Sequence, residues 1–107
     1  MAWEYHAPLQ DMRFVMERVL DAPATWAQCP PFAELDLDTV DAVLQEAAKF
    51  AAGVLLPINA QGDAVGCVRE EAGRVRTPPG YREAYRAYVE GCWPALPCDP
   101  AWGGQGL

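Results

Sequence analysis

Between Asp36 and Pro57 the apolar residues Val40, Val43, Leu44, Ala47, Ala51, Val54 and Leu55 fall on one helical face. Asp41, Gln45 and Lys49 trace a polar side. A stripe this long at a 3.6-residue period specifies an amphipathic helix and excludes an alternating strand. Asp36 or Asp38 stands where such a helix takes its N-cap. Alanines at 47, 48, 51 and 52 let a neighbouring helix approach closely. Pro57 lacks a backbone donor and is expected to kink or end the helix, after which Asn59, Gly62 and Asp63 turn the chain.

The flanking sequence supplies two more helices. Asp11 is placed to cap a helix over about 11–20, with Met12, Val15, Met16 and Val19 as its apolar face. Arg13 and Glu17 form an i,i+4 pair on another face. Ala22-Pro23 ends that helix, and residues 21–35, with Pro23, Pro30 and Pro31, read as a linker. Pro78-Pro79-Gly80 opens a third helix, in which Tyr81, Ala84, Tyr85, Tyr88, Val89 and Cys92 share a face and Gly91 is the stop. Between these helices, Cys67–Arg69 and Arg74–Thr77 flank Glu70-Glu71-Ala72-Gly73, the pattern of a short exposed hairpin. The expected fold is mainly α with a small β-hairpin.

The last residues, Asp99-Pro100-Ala101-Trp102-Gly103-Gly104-Gln105-Gly106-Leu107, describe a tight loop whose backbone lies close to another group. The sequence therefore reads as the front piece of something longer, and these residues are expected to be loose when nothing follows them.

Charge and motifs exclude several functions. Residues 1–64 carry ten acids and three bases, while residues 65–107 carry five of each. An acidic front half repels phosphate backbones and anionic lipid, so nucleic acid is not an expected partner. No apolar run approaches the roughly 20 residues of a membrane span. No leader peptide is visible, which gives a cytoplasmic expectation. Cys29, Cys67, Cys92 and Cys98 lack metal-site spacing and are expected to be reduced, mostly buried thiols. His6 has no nucleophile near it and reads as a surface residue. Asp36, Asp38 and Asp41 fit helix capping and dipole complementation better than a cation site. Gly103-Gly104-Gln105-Gly106 is not the dinucleotide-binding pattern. Tyr81, Tyr85 and Tyr88 read as core residues with polar tips.

These residues also resemble a known family, the acyl-CoA dehydrogenases. Tyr5-His6-Ala7-Pro8-Leu9-Gln10-Asp11-Met12-Arg13-Phe14-Val15 resembles the short extension at the front of one branch, which includes 3-methylmercaptopropionyl-CoA dehydrogenase-like enzymes. Phe50-Ala51-Ala52-Gly53-Val54-Leu55-Leu56-Pro57-Ile58-Asn59 with Gly62-Asp63 is similar to the first helix of the family's N-terminal domain. Gly66-Cys67, Val75, Thr77-Pro78-Pro79-Gly80-Tyr81, Ala84-Tyr85, Glu90-Gly91 and Trp93 resemble its next stretch. The closing loop resembles the branch's Pro-Glu-Tyr-Gly-Gly-x-Gly-Leu. Only residues 21–35 are unmatched. Ala101, Trp102 and Cys92 depart from the Glu, Tyr and Gly common at those places.

The resemblance implies an N-terminal extension over 1–35 and part of the N-terminal helical domain over 36–107. It implies an FAD-dependent oxidoreductase of fatty-acid metabolism that converts an acyl-CoA thioester to 2-enoyl-CoA. An electron-transfer acceptor is implied as a partner, and the intact enzyme as a homo-oligomer. A family glutamate removes the α-proton while hydride leaves for the flavin, which supplies the electron sink. That glutamate and the flavin domain lie later in family members. Catalytic, cofactor-binding and metal residues are therefore each assigned as none here. Glu46, Glu70, Glu71, Glu83 and Glu90 read as solvated positions. No FAD is expected on this piece alone. Two other readings are a non-enzymatic acidic helical interaction module and a small zinc module through Cys92 and Cys98.

Overall fold

The computed structural model describes residues 4–107. Helices dominate, with one two-stranded sheet, and the chain divides into two compact units, residues 5–52 and residues 53–107 with Glu4.

In the first unit, α1 spans Leu9–Phe14 and continues as a π-helical turn over Val15–Val19. The helix starts before Asp11. The Pro8 carbonyl accepts the Met12 N–H at 3.0 Å, so Pro8 occupies the N-cap and Asp11 sits inside the first turn. There its charge complements the helix dipole rather than capping. The wide turn closes with the Leu20 N–H on the Val15 carbonyl, 2.9 Å away. Asp21 then adopts a left-handed conformation and reverses the chain.

Residues 21–35 are not a featureless linker. They hold α2, Ala22–Ala27, and a 3₁₀ turn, Pro30–Phe32. Proline in the first turn loses no helical hydrogen bond, so Pro23 and Pro30 begin these elements instead of breaking them.

The long apolar stripe forms α3, Leu37–Phe50. Asp36 is its cap, accepting the Thr39 N–H at 2.7 Å. The Arg13 guanidinium reaches both Glu17 on its own helix, at 3.4 Å, and Asp41 on α3. This ties α1 to α3 through charge-assisted hydrogen bonds as well as apolar contact.

A π-helical turn over Ala51–Leu55 precedes α4, Leu56–Val65. Pro57 therefore lies in the first turn of α4 and does not end the helical path. The widened turn removes the regular i→i−4 bonding that the proline ring would have broken. Asn59, Gly62 and Asp63 are inside α4, and the chain leaves at Gly66, with φ 64°.

The hairpin forms where expected. β1, Val68–Arg69, pairs antiparallel with β2, Val75–Arg76, with Val68 opposite Arg76 and Arg69 opposite Val75. Both strands are exposed along their length. α5 spans Tyr81–Glu90 with Gly80 as N-cap and Gly91 as C-cap. Among the described residues only Gly62, Pro78 and Ala84 are buried, all in the second unit.

Candidate functional site

Two features of the second unit concentrate polar groups: a groove beside the hairpin and the glycine loop. The groove is open, about 830 Å³, and runs between the hairpin and the first turn of α5. Arg74, Arg76 and Arg82 line it together with Glu70, Glu83 and Tyr81. Arg76 Nε donates to Glu70 Oε1 at 2.7 Å, with both side chains about half exposed. An exposed pair of this kind adds little stability. Charge repetition in Arg74-Val75-Arg76 is visible in the sequence, but the approach of Arg82 depends on the fold.

The glycine loop is not loose. The Asp99 carboxylate accepts the Ala101 N–H at 2.8 Å, and its carbonyl accepts from Trp102 and Gly104 at 2.9 and 3.1 Å. Gln105 donates to the Ala95 carbonyl, Gly106 to Cys98 and Leu107 to Leu96, at 3.0, 2.9 and 2.9 Å. The close approach expected of these glycines is made to the chain itself. A Cβ on Gly104 would overlap the Cys98 carbonyl group. The amides that would cradle a phosphate are thus spent on internal carbonyls, so the loop does not fit a flavin pyrophosphate. At the tip, Trp102 is 89% exposed.

The tyrosines are not core residues. Tyr81, Tyr85 and Tyr88 are all exposed, Tyr85 to 67%, because α5 turns only Ala84 fully inward. The Tyr85 and Tyr88 rings sit 6.3 Å apart in a tilted arrangement. The thiols also differ from expectation: Cys67, Cys92 and Cys98 are exposed and Cys29 is intermediate, so burial does not explain them.

His6, Asp36 and Asp38 are exposed. Asp41 is engaged with Arg13, and Asp36 with Thr39. The Thr39 amide and then its hydroxyl hold the Asp36 carboxyl below its ordinary pKa. Glu46 pairs with Lys49 at 2.6 Å and Glu70 with Arg76, while Glu71, Glu83 and Glu90 are exposed. No group of three or more metal-ligating side chains occurs among the described residues. No described helix is long and apolar enough to cross a membrane.

No family model matches the chain. A 3-methylmercaptopropionyl-CoA dehydrogenase from Ruegeria pomeroyi is 35% identical over 103 residues, which is 96% of this chain. This sequence is related to the acyl-CoA dehydrogenases. The chain spans 17% of the length of that relative. The relationship to the acyl-CoA dehydrogenases runs through residues 21–35 as well, because 103 aligned residues cannot leave that segment out. The motifs that carry the resemblance in the sequence leave this segment unmatched.

Proposed function

We propose that this chain contributes an N-terminal extension, residues 1–35, and part of the N-terminal helical domain, residues 36–107, to an FAD-dependent acyl-CoA dehydrogenase. The reaction is α,β-dehydrogenation of an acyl-CoA thioester in the cytoplasm, with electrons passing to a separate acceptor. The 35% identity along nearly the whole chain carries this reading. The helical architecture with its small hairpin agrees with it.

The role of these residues is structural. They supply helical packing and a rigid loop, not the base or the flavin contacts. The flavin would supply the electron sink when bound elsewhere in a longer polypeptide.

The test has two arms. A full-length protein that begins with this sequence should retain FAD, and its flavin absorbance should bleach on adding acyl-CoA. The 107-residue chain, titrated with FAD, should show no stoichiometric binding. A full-length protein without flavin, or tight FAD binding by the short chain, overturns the reading.

A further inference from the structure

Three arginines line the open groove of about 830 Å³ between the hairpin and α5. Arg76 is paired with Glu70 at 2.7 Å. Arg74 and Arg82 make no ion pair with any described residue, although Glu83 lines the same groove. Three guanidiniums against two carboxylates leave the lining with one positive charge. The acids that make the whole chain negative lie mostly in residues 1–64. At physiological salt a charge is screened within about 8 Å, so the local arginines govern what enters the groove.

The backbone between these arginines is held in place. Val75 and Arg76 pair with Arg69 and Val68 in the hairpin. Pro78 is buried, and its ring fixes φ. Gly80, at φ 85°, lies so close to Ile58 that an added Cβ would stand 2.8 Å from the Ile58 Cγ2. Arg74 and Arg82 are thus carried by two separate elements with a stiff link between them. Covering this lining with packed polypeptide would take five charges out of water and leave one unmatched, a heavy desolvation cost. A small anion that enters with its own charge removes the mismatch instead.

We propose that this groove binds the phosphate group of a small anion, with Arg74 and Arg82 as its clamps. A guanidinium is a planar fork that sets two N–H donors against two oxygens. Two such forks would have to share both oxygens of a single carboxylate. The three terminal oxygens of a phosphate serve both forks and also the Thr77 hydroxyl, which lines the same groove. Glu83 opposes the anion and limits its affinity. The volume lies within the roughly 300–1,000 Å³ of small-molecule sites, so an organic phosphomonoester fits as well as the free ion. This proposal does not rest on the enzymatic reading.

The experiment is an amide NMR titration of the 107-residue chain with inorganic phosphate, adenosine monophosphate and acetate. Ionic strength is held constant at about pH 7.5, where a phosphomonoester is mostly dianionic. Inorganic phosphate should shift the amides of residues 74–76 and 81–83 saturably and leave those of α3 in place. Acetate should bind at least about tenfold more weakly. Arg74→Gln and Arg82→Gln should each weaken phosphate binding about tenfold, and Glu83→Gln should tighten it. All three side chains are exposed, so the fold should persist in the variants, which circular dichroism checks. Tighter binding of adenosine monophosphate than of inorganic phosphate assigns the site to an organic phosphomonoester, and binding no tighter assigns it to the free ion. Both outcomes support the phosphate chemistry. Shifts that do not saturate, acetate binding as tightly as phosphate, or an arginine variant that binds phosphate as the parent does, overturns the proposal.

Discussion

The Tyr81 side chain lies against the backbone of Gly62, its hydroxyl and ring filling the space a Cβ would occupy there. Tyr81 is the first residue of α5 and Gly62 sits in the second turn of α4. This contact fastens the two helices of the second unit where few side chains are buried, and Gly62 is one of the three buried among the described residues.

Replacing Gly62 with Ala should therefore destabilise the unit despite a better helix propensity. Alanine gains about 1 kcal/mol in a helix interior relative to glycine. Displacing the Tyr81 ring costs more, within the roughly 1–3 kcal/mol of overpacking. The net expectation is a loss of about 1 kcal/mol in chemical denaturation. In a Tyr81→Ala background the same substitution should become stabilising, because only the propensity gain remains. An unchanged sign in that background would remove the steric explanation.

Cys92 takes φ 60° with a side chain, just beyond the C-cap of α5. A left-handed conformation costs an ordinary residue about 1–2 kcal/mol, against about 0.5–1 kcal/mol for the added chain entropy of glycine. Cys92→Gly should raise stability by roughly 0.5 kcal/mol, and Cys92→Ala should not. Thermal melts of the two variants under reducing conditions separate this from any loss of thiol chemistry.

What was legible in the sequence was local. The stripe from Val40 to Leu55, the hairpin around Glu70–Gly73 and the start of α5 follow from spacing and turn residues, and all three appear in the structure. Proline is only partly legible: Pro23 initiates α2, a helix that the linker expectation omits, and Pro57, expected to kink or end the helix, stands just after the π-helical turn that divides α3 from α4. Each depends on whether the neighbouring carbonyl still needs a donor, which residue type alone does not reveal. The contacts that shape the candidate site, Tyr81 on Gly62 and Gly104 on Cys98, join residues by the path of the backbone. Periodicity cannot anticipate them. Tyr85 shows the converse: its helical register marks an apolar face but not whether anything covers that face.

The cap of α3 makes a pH prediction. The Asp36 carboxyl is held below its ordinary pKa by the Thr39 amide and hydroxyl. A carboxyl depressed on folding stabilises the folded state above its unfolded pKa, about 3.9, and loses that contribution as pH falls through the folded value. Acid titration should fray the first turn of α3 in that window, read as faster exchange of the Thr39 amide. Asp36→Asn keeps a capping oxygen without the titration and should flatten this pH response, whereas Asp36→Ala should fray the turn at every pH.

Gly104 should be the least tolerant position of the closing loop. Its Cβ would meet the carbonyl carbon and oxygen of Cys98, which are backbone atoms that no rotamer change can move aside. Gly104→Ala must shift the chain and so breaks the bonds that Gln105, Gly106 and Leu107 make to Ala95, Cys98 and Leu96. A cost of about 1–3 kcal/mol is expected, confined to the loop. Hydrogen exchange gives the readout: the amides of Gln105, Gly106 and Leu107 should lose protection together while those of α4 keep theirs. Trp102→Ala, at a tip already 89% exposed, should leave all three amides protected. Equal loss in both variants would mean that the loop is held by its tip rather than by the approach of Gly104 to Cys98.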